Sequence, residues 1–330
     1  MKMVERRTFV KGLAAAAVLP SALADAAEPK KGPLGKIVGA LPPGRYDCHT
    51  HVYGPQKKPD PEGTARAFAA AGLRGGAVFS LCHGAWHPMW KGEKVWEPTK
   101  IMDQVIEWCS ASPTLYPFYW IDPASPTALA EVDLAVRKGL YGFKVMRSQG
   151  MPLTRETKPV YEKIAETGLP TTFHSGMLWD LEASSQYFRP ANWEPFIRMK
   201  GFRFALAHIS WPWCEECVAL FGKLLAAHDE LGDDMCTMFV DTTPGTPPGR
   251  RRAALDTLYT IGWPAEQMKD RIMFGTDCFV TDYSVARPHD IMDRDDAICR
   301  DLKVGADMVE SAYRTAFEKF LFEPTDRACI

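Results

Sequence analysis

The segment Tyr46-Asp47-Cys48-His49-Thr50-His51-Val52 places two histidines two residues apart in a run with the composition of a β-strand. Side chains alternate between the two faces of a strand, so both imidazoles point the same way, whereas a helix would separate them by about 200°. The turn-forming sequence Tyr53-Gly54-Pro55 ends the run. The segment predicts a strand whose carboxyl end carries two potential metal ligands. The alternative is a pair of partly buried histidines bonded to backbone.

Composition sets the class of protein. The chain has 330 residues, 46% of them hydrophobic, and a formal net charge of −2. This length suits one large or two modest domains with a sizeable core. The charge gives no electrostatic reason to expect nucleic acid or an anionic membrane as a partner, so we expect a small-molecule substrate. Beyond the N-terminus no apolar run approaches the roughly 20 residues of a membrane span. The nine dispersed cysteines indicate no disulfide framework.

The N-terminus has the pattern of an export signal. Arg6-Arg7 is followed by Thr8-Phe9-Val10-Lys11, then an apolar run and small residues with Ala-x-Ala spacing. Residues 1–27 are therefore predicted to be a twin-arginine signal peptide and the protein to be periplasmic or otherwise exported by that route. The alternative is an amphipathic helix. Residues 28–44, rich in Pro, Gly and Lys, are predicted to be a linker, and residues 45–330 the folded domain.

Strands and helices are predicted to alternate along this domain. Eight strand-like runs, each with a helical segment after it, cover residues 46–52, 76–81, 115–121, 142–146, 170–174, 202–208, 236–241 and 271–277. The runs are almost continuously apolar, which is typical of parallel strands buried on both faces. Ser125 is predicted to cap one helix, Gly139 to end it, and the last helix to run over 304–322. This alternation predicts a (β/α)₈ TIM barrel. A doubly wound sheet is the alternative, but no G-x-G-x-x-G follows the first strand.

Polar residues cluster at the predicted strand ends. His49 and His51 end the first strand, His174 the fifth, His208 the sixth and Asp277 the eighth. In a barrel these ends converge on one mouth, where active sites lie. Imidazole and carboxylate ligands suit a divalent metal: we expect Zn²⁺, with Mn²⁺ or Fe²⁺ as alternatives.

Four motifs in this order resemble the amidohydrolase superfamily. They are Asp47-x-His49-x-His51, Phe173-His174-Ser175-Gly176, Leu206-Ala207-His208 and Met273-Phe274-Gly275-Thr276-Asp277. Their order and spacing are most similar to the amidohydrolase-related group, which also holds decarboxylases, hydratases and lactonases. The resemblance covers about residues 46–322. Barrels of this group often pair, so a homodimer is an expectation from the resemblance alone.

The resemblance also implies roles for single residues. His49, His51, His174 and Asp277 would ligate the metal. Asp277 would also be the general base that takes a proton from an attacking metal-bound water. His208 would orient or protonate a carbonyl or leaving oxygen, or bind a second metal.

Four further residues are candidates for substrate contact. Lys144 lies in the fourth strand, where two-metal relatives carry a bridging carboxylated lysine. We expect it instead to bind a substrate carboxylate or to pair with a barrel acid, with the bridging role second. Arg147 could grip a carboxylate or form a surface ion pair. His83 and Trp211 follow the second and sixth strands and could line the mouth.

The sequence therefore predicts a metal-dependent hydrolase of a small lactone, ester or amide. A non-oxidative decarboxylase of an aromatic or unsaturated acid is the alternative reaction. A barrel that binds a ligand without turnover is the alternative of another class.

Overall fold

A computed structural model describes residues 29–52, 57–82, 96–147, 150–180 and 182–323. The predicted signal peptide and His83 lie outside these residues.

Parallel strands form one curved sheet in which the first eight strands follow chain order and the ninth lies beside the first. Their buried faces on both sides agree with the continuous apolar runs of the sequence. The strands are β1 (Arg45–His51), β2 (Leu73–Cys82), β3 (Leu115–Trp120), β4 (Gly142–Val145), β5 (Thr171–Phe173), β6 (Arg203–Leu206), β7 (Thr237–Asp241), β8 (Ile272–Met273) and β9 (Cys278–Phe279).

The sheet closes through its last two strands. β8 pairs with β7, whereas β9 pairs with β1, so the two segments are halves of one interrupted eighth strand. Across the interruption, the amide of Cys48 donates to the carbonyl of Phe274 and the amide of Asp277 to that of His49, both at 2.9 Å. Gly275 permits this approach, because a Cβ there would lie 2.9 Å from the Cβ of His49. The predicted (β/α)₈ barrel is confirmed.

Helices surround the sheet. They are α1 (Pro61–Ala70), α2 (Pro98–Cys109), α3 (Ala128–Lys138), α4 (Lys158–Thr167), α5 (Cys214–Leu231), α6 (Arg251–Tyr259), α7 (Ala265–Met268), α8 (Ala286–Asp301), α9 (Ala306–Tyr313) and α10 (Thr315–Phe322). After β5 a 3₁₀ helix, Pro190–Arg198, takes the position of an α-helix. In the part of the chain that the structure describes, no helix is both long and apolar enough to cross a membrane.

Some element boundaries differ from the prediction. Gly139 ends α3 in the left-handed conformation as predicted, with φ of 76°. Ser125 does not cap that helix: its hydroxyl accepts from the amide of Thr127 at 3.3 Å, a local turn that competes with capping. The predicted final helix is two helices, α9 and α10, broken at Arg314, where φ is −144° and ψ −68°. Helix α8 was not predicted.

Residues 31–44, here called the N-terminal strap, lie against the end of the barrel where the strands begin. Lys36, Ile37 and Leu41 of the strap are buried. The hydroxyl of Tyr116 donates to the carbonyl of Ile37 and that of Tyr141 to the carbonyl of Pro33, both at 2.8 Å. Most of the predicted linker therefore contacts the barrel.

Candidate metal centre and active site

The predicted site residues surround a cavity at the carboxyl end of the barrel. It has a volume of about 450 Å³. Six polar residues predicted at strand ends or within strands line it: His49, His51, Lys144, His174, His208 and Asp277. They come from β1 and β4 and from the segments after β5, β6 and β8, which places the cavity where TIM barrels carry their active sites.

His49, His51 and Asp277 bring three ligand atoms together. The two Nε2 atoms are 3.1 Å apart, and Oδ1 of Asp277 lies 3.7 Å from Nε2 of His49 and 3.3 Å from Nε2 of His51. All three atoms lie within 4.8 Å of one another. Ligand atoms held about 2.1 Å from one zinc ion at about 90–110° are about 3.0–3.4 Å apart. Two of the three separations lie in this range and the third exceeds it by about 0.3 Å, so the three atoms can share a divalent ion after a small movement of one side chain.

Asp241 sets the orientation of the His49 ring. Its Oδ2 lies 2.5 Å from Nδ1 of His49, and its other oxygen accepts from the amide of Thr243 at 2.8 Å and from the Thr243 hydroxyl. A carboxylate on Nδ1 holds the proton there and leaves the Nε2 lone pair for a ligand. The arrangement is the carboxylate–histidine pair seen around many metal sites.

Asp47 fixes the backbone that carries the ligands. One carboxyl oxygen accepts from the amides of His49 and Thr276, both at 3.0 Å, and the other accepts from the Thr276 hydroxyl at 2.5 Å. Burial raises the pKa of Asp47 to about 7, although these hydrogen bonds act to lower it. Asp47 thereby joins β1 to the interruption in the eighth strand, and so places His49 beside Asp277.

His174 and His208 lie on a second side of the cavity floor. Their ring centroids are 5.0 Å apart, and the His208 ring is 5.2 Å from that of His49. Nε2 of His174 and Nδ1 of His208 are buried without a hydrogen-bond partner among the described residues. A buried, unpaired imidazole nitrogen is costly, so both atoms suit a ligand or substrate partner.

The backbone at His208 is unusual. β6 ends at Leu206, and the next residues do not continue the predicted strand to 208. His208, Ile209 and Ser210 all have left-handed backbone, with φ of 65°, 48° and 53°. Such strain in non-glycine residues is concentrated at functional sites. The left-handed turn brings the His208 side chain to the cavity floor.

Of the potential metal ligands in the cavity, the histidines are neutral and Asp277 is ionised. Burial lowers the pKa of His49, His51, His174 and His208, so the rings are neutral at pH 7. Burial acts to raise the pKa of Asp277, but its hydrogen bond with His51 and the neighbouring rings lower it below the usual value. Neutral imidazoles and an ionised carboxylate form the donor set that zinc, manganese and iron bind.

Lys144 lies at the centre of the floor. Its Nζ is 3.2 Å from Nε2 of His49, and the side chain is buried. Burial lowers its pKa to about 8, although the carboxylates of Asp241 and Asp277 act to raise it.

The other predicted contact residues are placed differently. Trp211 lines the cavity. Arg147 does not lie among its described lining residues; its guanidinium donates to the carbonyl of Met151 at 3.0 Å. The lining residues that were not predicted include Trp179 and Thr246. Both lie on loops after strands, where no periodic pattern marks them, although their position after β5 and β7 could have drawn attention to them.

A closed barrel with histidines and a carboxylate at its carboxyl end defines a class of metal-site (β/α)₈ proteins. Within that class, a profile of the family described as Amidohydrolase matches residues 46–314. The chain belongs to this amidohydrolase family, whose members are typically metal-dependent hydrolases.

Two solved structures share the fold. An amidohydrolase from Burkholderia multivorans with bound HEPES is 12% identical over 84% of this chain and 99% of that chain, with a TM-score of 0.56. A protein described as engineered for organophosphate hydrolysis from a weak promiscuous lactonase template is 14% identical over 89% and 99%, with a TM-score of 0.52. No curated protein matches the sequence.

Proposed function

We propose that the protein is a metal-dependent hydrolase that cleaves a small lactone, ester or amide. The observation that supports this most strongly is the convergence of His49 Nε2, His51 Nε2 and Asp277 Oδ1 at the cavity floor. His174, with its unpaired buried Nε2, would complete the ligand set. Zinc is the metal we propose first, with manganese or iron as alternatives. A divalent ion supplies Lewis acidity, which makes water nucleophilic at neutral pH.

Asp277 is proposed as the general base. Its side chain is 33% exposed, and because its pKa is low it is ionised at neutral pH. The carboxylate would accept one proton from the attacking water while the hydroxyl oxygen bonds to the substrate carbonyl carbon. The carbon–oxygen or carbon–nitrogen bond then breaks, and Asp277 would return the proton to the leaving atom.

His208 is proposed to bind the substrate carbonyl oxygen. Nδ1 of His208 is buried without a hydrogen-bond partner among the described residues, and in the tautomer with the proton on Nδ1 it would donate to an oxygen as negative charge develops there. A pre-placed donor of this kind contributes about 10²–10³ in kcat. Lys144, at the floor beside His49, is proposed as a further positive group near the reacting atoms.

The first test is metal content by elemental mass spectrometry on protein purified without chelator. We expect about one divalent ion per chain in the wild type and a loss in His49→Ala. His289→Ala is the matched control, because His289 is exposed and far along the chain in α8. Two ions per chain would assign Lys144 a bridging role. Equal metal content in His49→Ala and the control would contradict the site.

The second test is the reaction itself. Because Asp277 is also a proposed metal ligand, Asp277→Asn is assayed with added divalent metal, and proton release from lactones and esters should be lost even when the metal content equals that of the wild type. Release of CO₂ from aromatic acids would instead identify the alternative decarboxylase. Ligand binding without turnover in the wild type would identify a binding protein.

We also propose export by the twin-arginine route, supported by the Arg6-Arg7 pair and the apolar run after it. Replacing both residues by lysine should move the protein from the periplasmic to the cytoplasmic fraction. An unchanged distribution would contradict this route.

A further inference from the structure

The lining of the cavity is divided into two regions. The floor carries the polar side chains described above, which come from strand ends or, for Lys144, from within β4. The wall is apolar and comes from the loops after β5 and β6 and from β9; it is formed by Met177, Leu178, Trp179, Trp211 and Phe279. A substrate that reacts at the floor therefore extends along an apolar surface.

The wall includes large apolar side chains that are open to water. Trp179 is 72% exposed and Phe279 37% exposed. The rings of Trp179 and Trp211 stack with centroids 6.5 Å apart and planes inclined by 18°. Adjacent exposed aromatic groups beside a cavity are typical of ligand-binding surfaces, and a flat ring stacks well against another flat ring.

The wall is held in place by the backbone. The amide of Met177 donates to the carbonyl of Trp211 at 2.7 Å, which joins the two loops that carry the aromatic pair. Gly176 has φ of 98°, and a Cβ there would lie 2.4 Å from the same carbonyl oxygen. The apolar surface therefore exists before a ligand binds and need not be assembled.

Positive charge is confined to the floor. Among the described lining residues, Lys144 is the sole lysine or arginine, and its Nζ is engaged 3.2 Å from His49. Arg147 lies off the cavity. Among the described lining residues, the loop after β7 offers instead one neutral hydroxyl, that of Thr246, which is buried without a hydrogen-bond partner. A second carboxylate on a substrate would be desolvated against this wall, where the described lining residues supply no counter-charge.

We infer that the substrate is an uncharged acyl compound with a flat or bulky apolar substituent, such as an aryl-substituted lactone, and that Trp179 and Trp211 select it. Thr246 would donate to a neutral oxygen of the same substrate. The inference rests on the proposed hydrolase for the position of the reacting bond. The apolar preference itself rests on the wall.

Three γ-lactones of equal ring size test it: γ-butyrolactone, γ-phenyl-γ-butyrolactone and γ-carboxy-γ-butyrolactone. We expect kcat/KM for the phenyl lactone to exceed that of the parent by about 10–100-fold, and the carboxy lactone to react more slowly than the parent. Trp179→Ala should reduce the phenyl advantage, the ratio of kcat/KM for the phenyl lactone to that for the parent, roughly tenfold. Trp263→Ala, another partly exposed tryptophan but one outside the cavity lining, is the control.

Binding by titration calorimetry separates failure of this inference from failure of the proposed function. Equal rates for the three lactones, or a preference for the carboxy lactone, would overturn the inference and leave the hydrolase standing. Absence of turnover together with Trp179-dependent binding of the phenyl lactone would support the apolar selection and reject the hydrolase. Absence of both turnover and phenyl-lactone binding would overturn the inference as well as the function.

Discussion

The contact between Asp241 and His49 assigns a role to each nitrogen of the ring. With Nδ1 only 2.5 Å from the carboxylate, Nδ1 carries the proton and Nε2 presents its lone pair towards His51 and Asp277. The carboxylate cannot swing away, because Thr243 donates to its other oxygen. A negative partner on the distal nitrogen also strengthens the ring as a ligand.

Asp241→Asn tests this role. The Asn side chain keeps the shape of Asp241 but removes the negative charge beside Nδ1 of His49. We therefore expect metal affinity to fall by about 10–100-fold. Competition with a chelating dye measures the change. Asp180→Asn is the matched control, because Asp180 is equally buried and none of its described contacts is a histidine. Equal affinities in the two variants would contradict the role.

The sequence could predict the floor of the site but not its wall. His49, His51, His174 and Asp277 were identifiable because the carboxyl ends of parallel strands must meet. The alternation of side chains along a strand could also have predicted that Arg147 lies outside the cavity. Lys144 and Met146 line the cavity, so Val145 and Arg147 face the other way. Trp179 and Thr246 lie on loops, whose path depends on tertiary contacts that the sequence does not display.

At the scale of elements, a hydrogen bond joins two loops of the site. The hydroxyl of Ser175 donates to that of Ser210 at 2.6 Å, and both side chains are buried. The bond joins the loop that carries His174 to the left-handed turn that carries His208. Left-handed backbone costs about 1–2 kcal/mol per residue, so the turn needs such contacts to persist.

Ser175→Ala tests the connection. It would leave the Ser210 hydroxyl without its donor, and we expect the free energy of unfolding in urea to fall by about 1–3 kcal/mol. The double variant with Ser210→Ala should cost less than the sum of the single changes. Ser110→Ala removes an exposed hydroxyl bond and should change the free energy by less than about 0.5 kcal/mol. Additive single and double changes would contradict the coupling.

Asp270 bonds to both of the helices that take the place of the predicted last helix. One carboxyl oxygen accepts from the hydroxyls of Ser311 at 2.5 Å and Thr315 at 2.6 Å, on either side of the break, and the other lies 2.7 Å from Nζ of Lys319. Burial acts to raise the pKa of Asp270, but these partners outweigh it and lower the pKa. The carboxylate thereby joins the segment before β8 to α9 and α10.

Asp270→Asn should therefore destabilise the protein in a pH-dependent way. Asn tolerates the left-handed backbone at this position, where φ is 61°, so the change is mainly one of charge. A carboxylate with a lowered pKa stabilises the fold above its unfolded pKa of about 3.9 and loses that effect as the pH falls through the folded value. We expect a deficit of about 1–2 kcal/mol at pH 7 that shrinks in acid. A deficit that is constant or grows in acid would contradict the assignment.

Helix α8 was missed although its pattern was present. The buried residues Pro288, Ile291, Met292, Ile298 and Cys299 recur at helical spacing. The stripe is interrupted by Asp295, which pairs with the buried Arg251 at 2.5 Å. A charged residue within the apolar stripe obscures the helical periodicity in the sequence, because its partner, Arg251, lies 44 positions away in α6.

At the scale of the whole molecule, the two ends of the barrel have different roles. The carboxyl end carries the cavity, and the other end is covered by the N-terminal strap. In TIM barrels the end opposite the active site contributes to stability. The prediction of a linker rested on Pro, Gly and Lys content, which does not reveal that one of those lysines is buried.

Lys36 is the main anchor of the strap. Its Nζ donates to the carbonyls of Cys109 at 2.5 Å and Ser112 at 2.7 Å. These oxygens lie at the C-terminal end of α2, where unpaired carbonyls and the helix dipole favour a cation. Burial lowers the pKa of Lys36, so the contacts must offset a desolvation cost. Removing the ammonium would leave both carbonyls without this donor.

Lys36→Met should lower the free energy of unfolding by about 2–3 kcal/mol, while Lys30→Met, a change at an exposed lysine just before the strap, should have little effect. A chain beginning at residue 45 should lose more stability than one beginning at residue 29, because it lacks the whole strap. Urea unfolding and metal content, measured on the same samples, check both expectations.

Metal content should stay constant, because the strap and the metal ligands lie at opposite ends of the barrel. Equal stability of the two lysine variants would show that Lys36 does not anchor the strap. Loss of metal in Lys36→Met at full stability would show that the two ends are not independent.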